Sequence, residues 1–164
     1  MGFTVAQGLM LLLLIASTMA VSKANRGCKF GNQPFHHPHH PNNTRTSNRI
    51  IVGDSYHWNF GFNYTNWAIK HGPFYLNDTL VFKYDPPSPN TFPHSVYLLP
   101  NFRSFTKCNL RKATMVGNVT QGGGEGFDFE LKRPRQRYYF ACGERNGFHC
   151  VNGTMKFFVK PIFR

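Results

Sequence analysis

The stretch Arg137-Tyr-Tyr-Phe-Ala-Cys142-Gly-Glu-Arg-Asn-Gly-Phe-His149-Cys150-Val-Asn-Gly-Thr-Met155-Lys156 decides how the rest of the chain is read. An aromatic run with strand character ends in a cysteine, and a glycine-containing loop then delivers a histidine, a second cysteine and a methionine. Thiolate, imidazole and thioether are donor types that suit copper in an electron-transfer site, where the thiolate and two imidazoles bind strongly and a thioether sits at longer range. One more histidine from elsewhere in the chain would complete such a set.

Working outward, the flanking sequence reads as short strands separated by turns. Ile50-Ile-Val52, Thr79-Leu-Val-Phe-Lys-Tyr84, His94-Ser-Val-Tyr-Leu-Leu99, Ala113-Thr-Met-Val116, Phe127-Asp-Phe-Glu-Leu131, Arg137 to Cys142 and Met155 to Val159 have strand composition. Leu80, Phe82 and Tyr84 share one face of their strand, and Phe127 to Leu131 alternates with Asp128 and Glu130 on the wet side. Trp58-Asn-Phe60-Gly-Phe62 is a further aromatic alternation. Tyr64 to His71 reads as a turn or a single helical stretch, and Asn101 to Lys107 as irregular. Asp85 to Pro93 is a proline-rich loop that cannot enter a sheet. The glycine run Gln121-Gly-Gly-Gly-Glu-Gly126 is a turn and not a phosphate loop, because no Gly-Lys-Ser/Thr follows and no helix opens from it. Seven to eight strands at this spacing imply an all-β sandwich or barrel.

The first residues set the compartment. Leu9 to Ile15 is a nearly unbroken apolar run, followed by Ala16-Ser-Thr-Met-Ala20 and Val21-Ser-Lys-Ala24. This suits a signal peptide over residues 1–24 better than a membrane span. Residues 25–48, with His36, His37, His39 and His40 among prolines, lack apolar periodicity and read as a disordered arm. Residues 49–164 form the folded domain. A secreted chain is separated from nucleic acid, so its net charge of +12 points to other anions, such as acidic cell-wall polysaccharide or an acidic redox partner. Secretion also gives meaning to the sequons at Asn42, Asn63, Asn77, Asn118 and Asn152. The C-terminus ends in charged residues, without the apolar tail of a glycolipid-anchor signal, and no transmembrane segment is expected in the mature chain.

Cysteines stand at positions 28, 108, 142 and 150. Four cysteines allow two disulfides in three connectivities. Cys28 lies in the polar arm, where a bridge would tie an unfolded segment to the core for little packing gain. If Cys28 is left out, one of the other three stays free. Cys142 ends an aromatic strand that can hold its sulfur dry, whereas a Cys108–Cys150 bridge would pin the backbone beside His149. Such a bridge contributes on the order of 4 kcal/mol in the chain-entropy account.

With these residues in place the domain resembles the phytocyanins, the secreted blue copper proteins of plants. The resemblance rests on Ile51-Val-Gly-Asp-Ser, Trp58 to Ala68, Asn77 to Asp85, His94-Ser-Val96, Cys108, Tyr139 to Gly143, His149-Cys150 and Gly153 to Lys156, in consistent order over residues 50–161. It implies a cupredoxin-like Greek-key β-sandwich and one type 1 copper held by His94, Cys142 and His149, with Met155 as the weak axial ligand. The loop from Gly143 to Phe148 is longer than is usual in the family, as is the step from Cys150 to Thr154. A strict alignment therefore puts Thr154, a poor copper ligand, at the axial place. The function so implied is single-electron transfer without enzymatic turnover, His149 being the imidazole expected nearest solvent. The alternative is a copper-free module that binds cell-wall carbohydrate or protein. His57 and His71 are expected on the surface, away from the site.

Overall fold

The structure is a computed structural model and describes residues 46–164; the expected signal peptide, nearly all of the arm, Cys28 and Asn42 lie outside the described residues. Among the described residues seven strands form two sheets. The first has the order β1 (Arg49–Ile51), β2 (Thr79–Phe82), β5 (Phe127–Glu130). The second has the order β4 (Thr114–Gly117), β3 (Val96–Leu99), β6 (Tyr138–Ala141), β7 (Lys156–Val159). Among the strand pairs of the described residues only β1–β2 is parallel. The chain crosses between sheets after β2, returns for β5 and crosses again for β6 and β7, which is the Greek-key habit of a β-sandwich.

The space between the sheets is filled by rings. Trp58, Tyr64, Phe82, Phe140 and Phe157 are fully buried. Their centroids lie 4.4 Å (Trp58–Tyr64), 5.3 Å (Trp58–Phe82), 5.3 Å (Phe82–Phe140) and 5.1 Å (Phe140–Phe157) apart. Tilted, edge and offset-stacked contacts at these spacings add to the transfer free energy of burying each ring. The expected face of β2 is observed, but Val81 is buried as well, so this central strand is covered on both sides. In β5 the expected alternation holds, with Asp128 and Glu130 exposed.

Four segments sharpen or depart from the sequence expectation. Tyr64–His71 is a two-turn helix, α1, in which Tyr64, Trp67 and Ala68 face the core. Its N-terminus is closed by the Asn63 side chain, which accepts from the N–H of Asn66 at 3.0 Å. Irregular Asn101–Lys107 contains a short helix, α2 (Phe102–Thr106), and the histidine-bearing loop contains a single turn, α3 (Phe148–Val151). Trp58 to Phe62 forms no strand, because Trp58 turns inward while Asn59 and Phe60 stay exposed.

The end of the sandwich at Asn77 and Asp78 is held by one buried carboxylate. Asp78 is fully buried and accepts from the N–H of Asn48 (3.1 Å), the N–H of Tyr75 (2.8 Å) and the guanidinium of Arg164 (2.7 Å). The N–H of Thr79 donates to Asn48 O at 2.8 Å, so backbone just before Arg49 already bonds into the domain. Replacing Asp78 by Ala would leave two backbone donors without an acceptor and would strip Arg164 of its carboxylate partner. Asp78→Ala is therefore expected to lower unfolding free energy by about 3 kcal/mol, read as a lower denaturant midpoint at unchanged slope; an unshifted midpoint would show the bonds to be dispensable.

Candidate metal centre

The centre is assembled from three places in the chain. Cys142 directly follows β6, and its N–H donates to Met155 O at 2.9 Å, just before β7. Met155 in turn donates its N–H to His149 O at 3.1 Å. His94 comes from the end of the proline-rich loop before β3. The adjoining Ser95 is fixed twice: its carbonyl accepts from Trp58 Nε1 at 3.1 Å, and its hydroxyl accepts from the N–H of Gly143 at 3.3 Å. The aromatic core and β6 thus both orient the backbone that carries His94.

The side chains converge. Cys142 Sγ lies 3.5 Å from His149 Nδ1 and 3.9 Å from His94 Nδ1. The three donor atoms are all within 4.8 Å of one another, and each residue is buried. The imidazole centroids are 5.1 Å apart. Cys142 is the free cysteine of the domain, and Cys108–Cys150 is a disulfide with a Cα separation of 5.9 Å. That bridge joins the residue after His149 to the turn that follows α2, as expected from the sequence.

Thr154 and Met155, the two residues the sequence offers for the axial place, lie differently in the structure. Arg145, Asn146 and Gly147 take left-handed backbone at φ 52°, 53° and 83°, so the extra residues form a compact turn that leads into α3. A Cβ at Gly147 would stand 3.3 Å from Cys108 O, which keeps the turn against the disulfide. Thr154 is also left-handed, at φ 53°. It is exposed, and its hydroxyl donates to Phe62 O at 3.0 Å. Met155 is fully buried in the same cluster as Cys142. Only the methionine faces inward.

Burial keeps the donors neutral in the metal-free chain. The His94 imidazole is pushed down to about 4 from its ordinary 6.5, first by burial and then by the neighbouring His149, with Asp85 opposing. His149 is lowered as well, chiefly by burial. The Cys142 thiol is pushed up to about 11 by burial, offset in part by the N–H groups of Ser95 and Glu144. Two neutral imidazoles offer lone pairs at once, and a thiol gives up its proton when a cation arrives.

The plastocyanin-like domain family model matches residues 58–154. The chain belongs to the phytocyanin family. Early nodulin-like protein 16 of Arabidopsis thaliana is 33% identical over 109 residues, covering 66% of this chain and 57% of that protein. Blue copper protein 1a of Medicago truncatula is 33% identical over 113 residues, covering 68% of this chain and 60% of that protein. The chain thus spans less than two thirds of the length of these curated relatives. Among solved structures, cucumber basic protein, a blue copper protein, is 26% identical with a TM-score of 0.52, covering 70% of this chain and 99% of that one. Cucumber stellacyanin, at 24% identity, TM-score 0.54, and coverage of 73% and 99%, supports the cupredoxin fold alone.

In this phytocyanin His149 and His94 are both enclosed, at 3% and 5% exposure. Phe60 packs edge-on over it at 5.3 Å and stacks on Phe148 at 5.9 Å. Gly153 permits this, since a Cβ there would meet the Phe60 ring at 2.4 Å. Phe60 carries no sequence signal of its own, because half-exposed aromatics are common. His94 lines a groove of about 260 Å³ with Asn59, Phe60, Asp85, Thr91 and Phe92. His57 is half-buried, and His71 is exposed at the end of α1 with Nε2 3.1 Å from Asp54. Neither joins the centre.

The lowered His94 value has a signed consequence for the metal-free protein. Between about 4 and 6.5 the unfolded chain binds the proton that folded His94 refuses, so stability rises with pH across that window and levels off above it. The thermal midpoint of the metal-free protein is expected to climb over that range, and His94→Asn to flatten the climb; a midpoint independent of pH there would contradict the buried neutral imidazole.

Proposed function

We propose that this phytocyanin holds one copper ion between His94, Cys142 and His149, with Met155 as weak axial ligand, and that it passes single electrons. The observation that carries the reading is the convergence of a free, buried thiol with two buried imidazole nitrogens. The donor set fits copper: one soft thiolate, two imidazoles and a nearby buried thioether are the combination of blue electron-transfer sites, in contrast to the oxygen-rich sets of magnesium and calcium. When bound, copper supplies a one-electron couple at a site whose ligands change position little.

The chain's own part is to hold those ligands still. β6 and β7 fix Cys142 and Met155 through a backbone bond. The disulfide fixes His149 through Cys150, and Trp58 fixes Ser95 beside His94. Such outer bonds restrict rearrangement of the donors. The rings of Phe60 and Phe148 limit water around His149, and the groove at His94 gives that imidazole a route to the surface. The role proposed for the one cluster of metal-ligating side chains found among the described residues is that of an electron carrier without substrate turnover. The blue copper relatives support the copper reading, and the copper-free module remains its alternative.

Placement outside the cell is part of this proposal, supported by the apolar run Leu9 to Ile15 read as the core of a signal peptide over residues 1–24, with residues 25–48 as an arm. Among the described residues no helix is long and apolar enough to cross a membrane. Asn63, Asn77, Asn118 and Asn152 are exposed, so each can accept a glycan. Acidic cell-wall polysaccharide and an acidic redox protein are the proposed partners of the basic surface.

Purified protein given Cu(II) is expected to turn intensely blue with one copper per chain, and Cys142→Ser to stay colourless. Failure to retain stoichiometric copper would reject the reading in favour of the copper-free module. Met155→Leu is expected to keep the colour while shifting the spectrum and raising the reduction potential, whereas Thr154→Ala should change neither; an unaltered Met155→Leu spectrum would remove Met155 from the ligand set.

A further inference from the structure

A second concavity lies away from the ligand set, where α2 begins and the chain turns after the disulfide. It encloses about 320 Å³ and is lined by Pro100, Asn101, Ser104, Asn109, Arg111 and Lys112. Arg111 and Lys112 are exposed, and among the described residues neither forms an ion pair. No acidic residue occurs in sequence between Asp85 and Glu125. Exposed Arg103 and Lys107 extend the positive field along the same segment.

The neutral groups in this pocket are oriented as donors. Asn101 Oδ1 accepts from the N–H of Ser104 at 2.9 Å, and Asn109 Oδ1 accepts from the N–H of Arg111 at 3.1 Å. Both amide oxygens are therefore occupied by the chain's own backbone, which leaves each side-chain NH2 to a ligand. The helix end is already capped by Asn101, so it adds no free N–H of Ser104. What remains is a guanidinium, an ammonium, two amide NH2 groups and the Ser104 hydroxyl.

A larger cleft provides a contrast. It is lined by Asp128, Glu130, Lys132 and Arg133 among others. There Asp128 pairs with Arg49 at 2.9 Å and Glu130 with Lys132 at 3.4 Å, so much of its charge is satisfied internally. The pocket beside α2 has no such compensation.

We propose that the pocket of Asn101, Ser104, Asn109, Arg111 and Lys112 binds a uronic-acid unit of an acidic polysaccharide. The planar guanidinium of Arg111 matches a carboxylate, with Lys112 adding charge. The amide NH2 groups and the serine hydroxyl serve the ring and hydroxyl oxygens that distinguish a sugar acid from a simple anion. The extracellular placement proposed above supplies the source of such a polymer, but the binding chemistry does not depend on copper. A Cβ at Gly147 would lie 3.6 Å from Leu110 Cδ1, so the pocket's segment packs against the ligand loop, and docking here would hold the centre close to the polymer.

The test is calorimetric titration of the full chain with a hexamer of galacturonic acid, its methyl ester and inorganic sulfate. The acid hexamer is expected to bind, the methyl ester not to, and sulfate to compete only weakly. Arg111→Gln/Lys112→Gln should weaken hexamer binding at least about tenfold, while Arg133→Gln/Arg137→Gln, which removes the same charge elsewhere, should not. Lack of binding by the unaltered chain, equal losses in both double variants, full binding by the ester, or full displacement by equimolar sulfate would each overturn the assignment. The visible spectrum of each copper-loaded variant is recorded in parallel, so failure of the pocket is distinguishable from failure of the copper reading.

Discussion

The site depends on a short relay of backbone bonds: Cys142 N–H to Met155 O, and Met155 N–H to His149 O. The relay ties the residue after β6, the residue before β7 and the histidine of α3 into one rigid unit. The backbone positions that carry a thiol, an imidazole and a thioether are therefore fixed relative to one another before any ion arrives. The fourth member, His94, is brought to them by the other connection, where Trp58 Nε1 grips Ser95 O. Since Trp58 is also the centre of the aromatic core, packing and ligand geometry rest on the same ring.

Burial contributes the second half of the chemistry. A thiol and two imidazoles in a dry place are held neutral, because a low-dielectric surrounding penalises each charged form. Mutual repulsion between protonated rings lowers His94 further. A divalent or monovalent cation reverses the balance by providing the compensating charge, so the same burial that raises the thiol value favours coordination once the proton leaves. The disulfide acts beside this centre and not within it: Cys150 is sealed in a small cluster with Cys108, Leu99, Phe105 and Tyr139, next to His149 in sequence.

Much of this was legible from residue order. The strand pattern announced a sandwich because side chains alternate along a pleated sheet, and Phe127 to Glu130 is the plainest instance. Less legible was α1, since an eight-residue helix carries too few turns for a strong periodic signal. Its markers were present: Asn63 as a cap, followed by Tyr64, Trp67 and Ala68 at helical spacing. Thr154 and Met155 show the opposite case. Residue chemistry favoured Met155 while strict spacing favoured Thr154, and the left-handed backbone at Thr154 turns its hydroxyl outward and leaves Met155 inside.

By itself, the sequence supplied the sandwich class, through local alternation, and through its resemblance to the phytocyanins it supplied the candidate donors and the expectation of Cys142 as the free thiol. Only the tertiary structure decided that Met155 and not Thr154 faces the core, that Phe60 covers His149, and that His94 lines a surface groove. Those outcomes depend on backbone dihedrals and on contacts between segments far apart in the chain. No local pattern encodes them, since each is fixed by what the other sheet or loop places opposite.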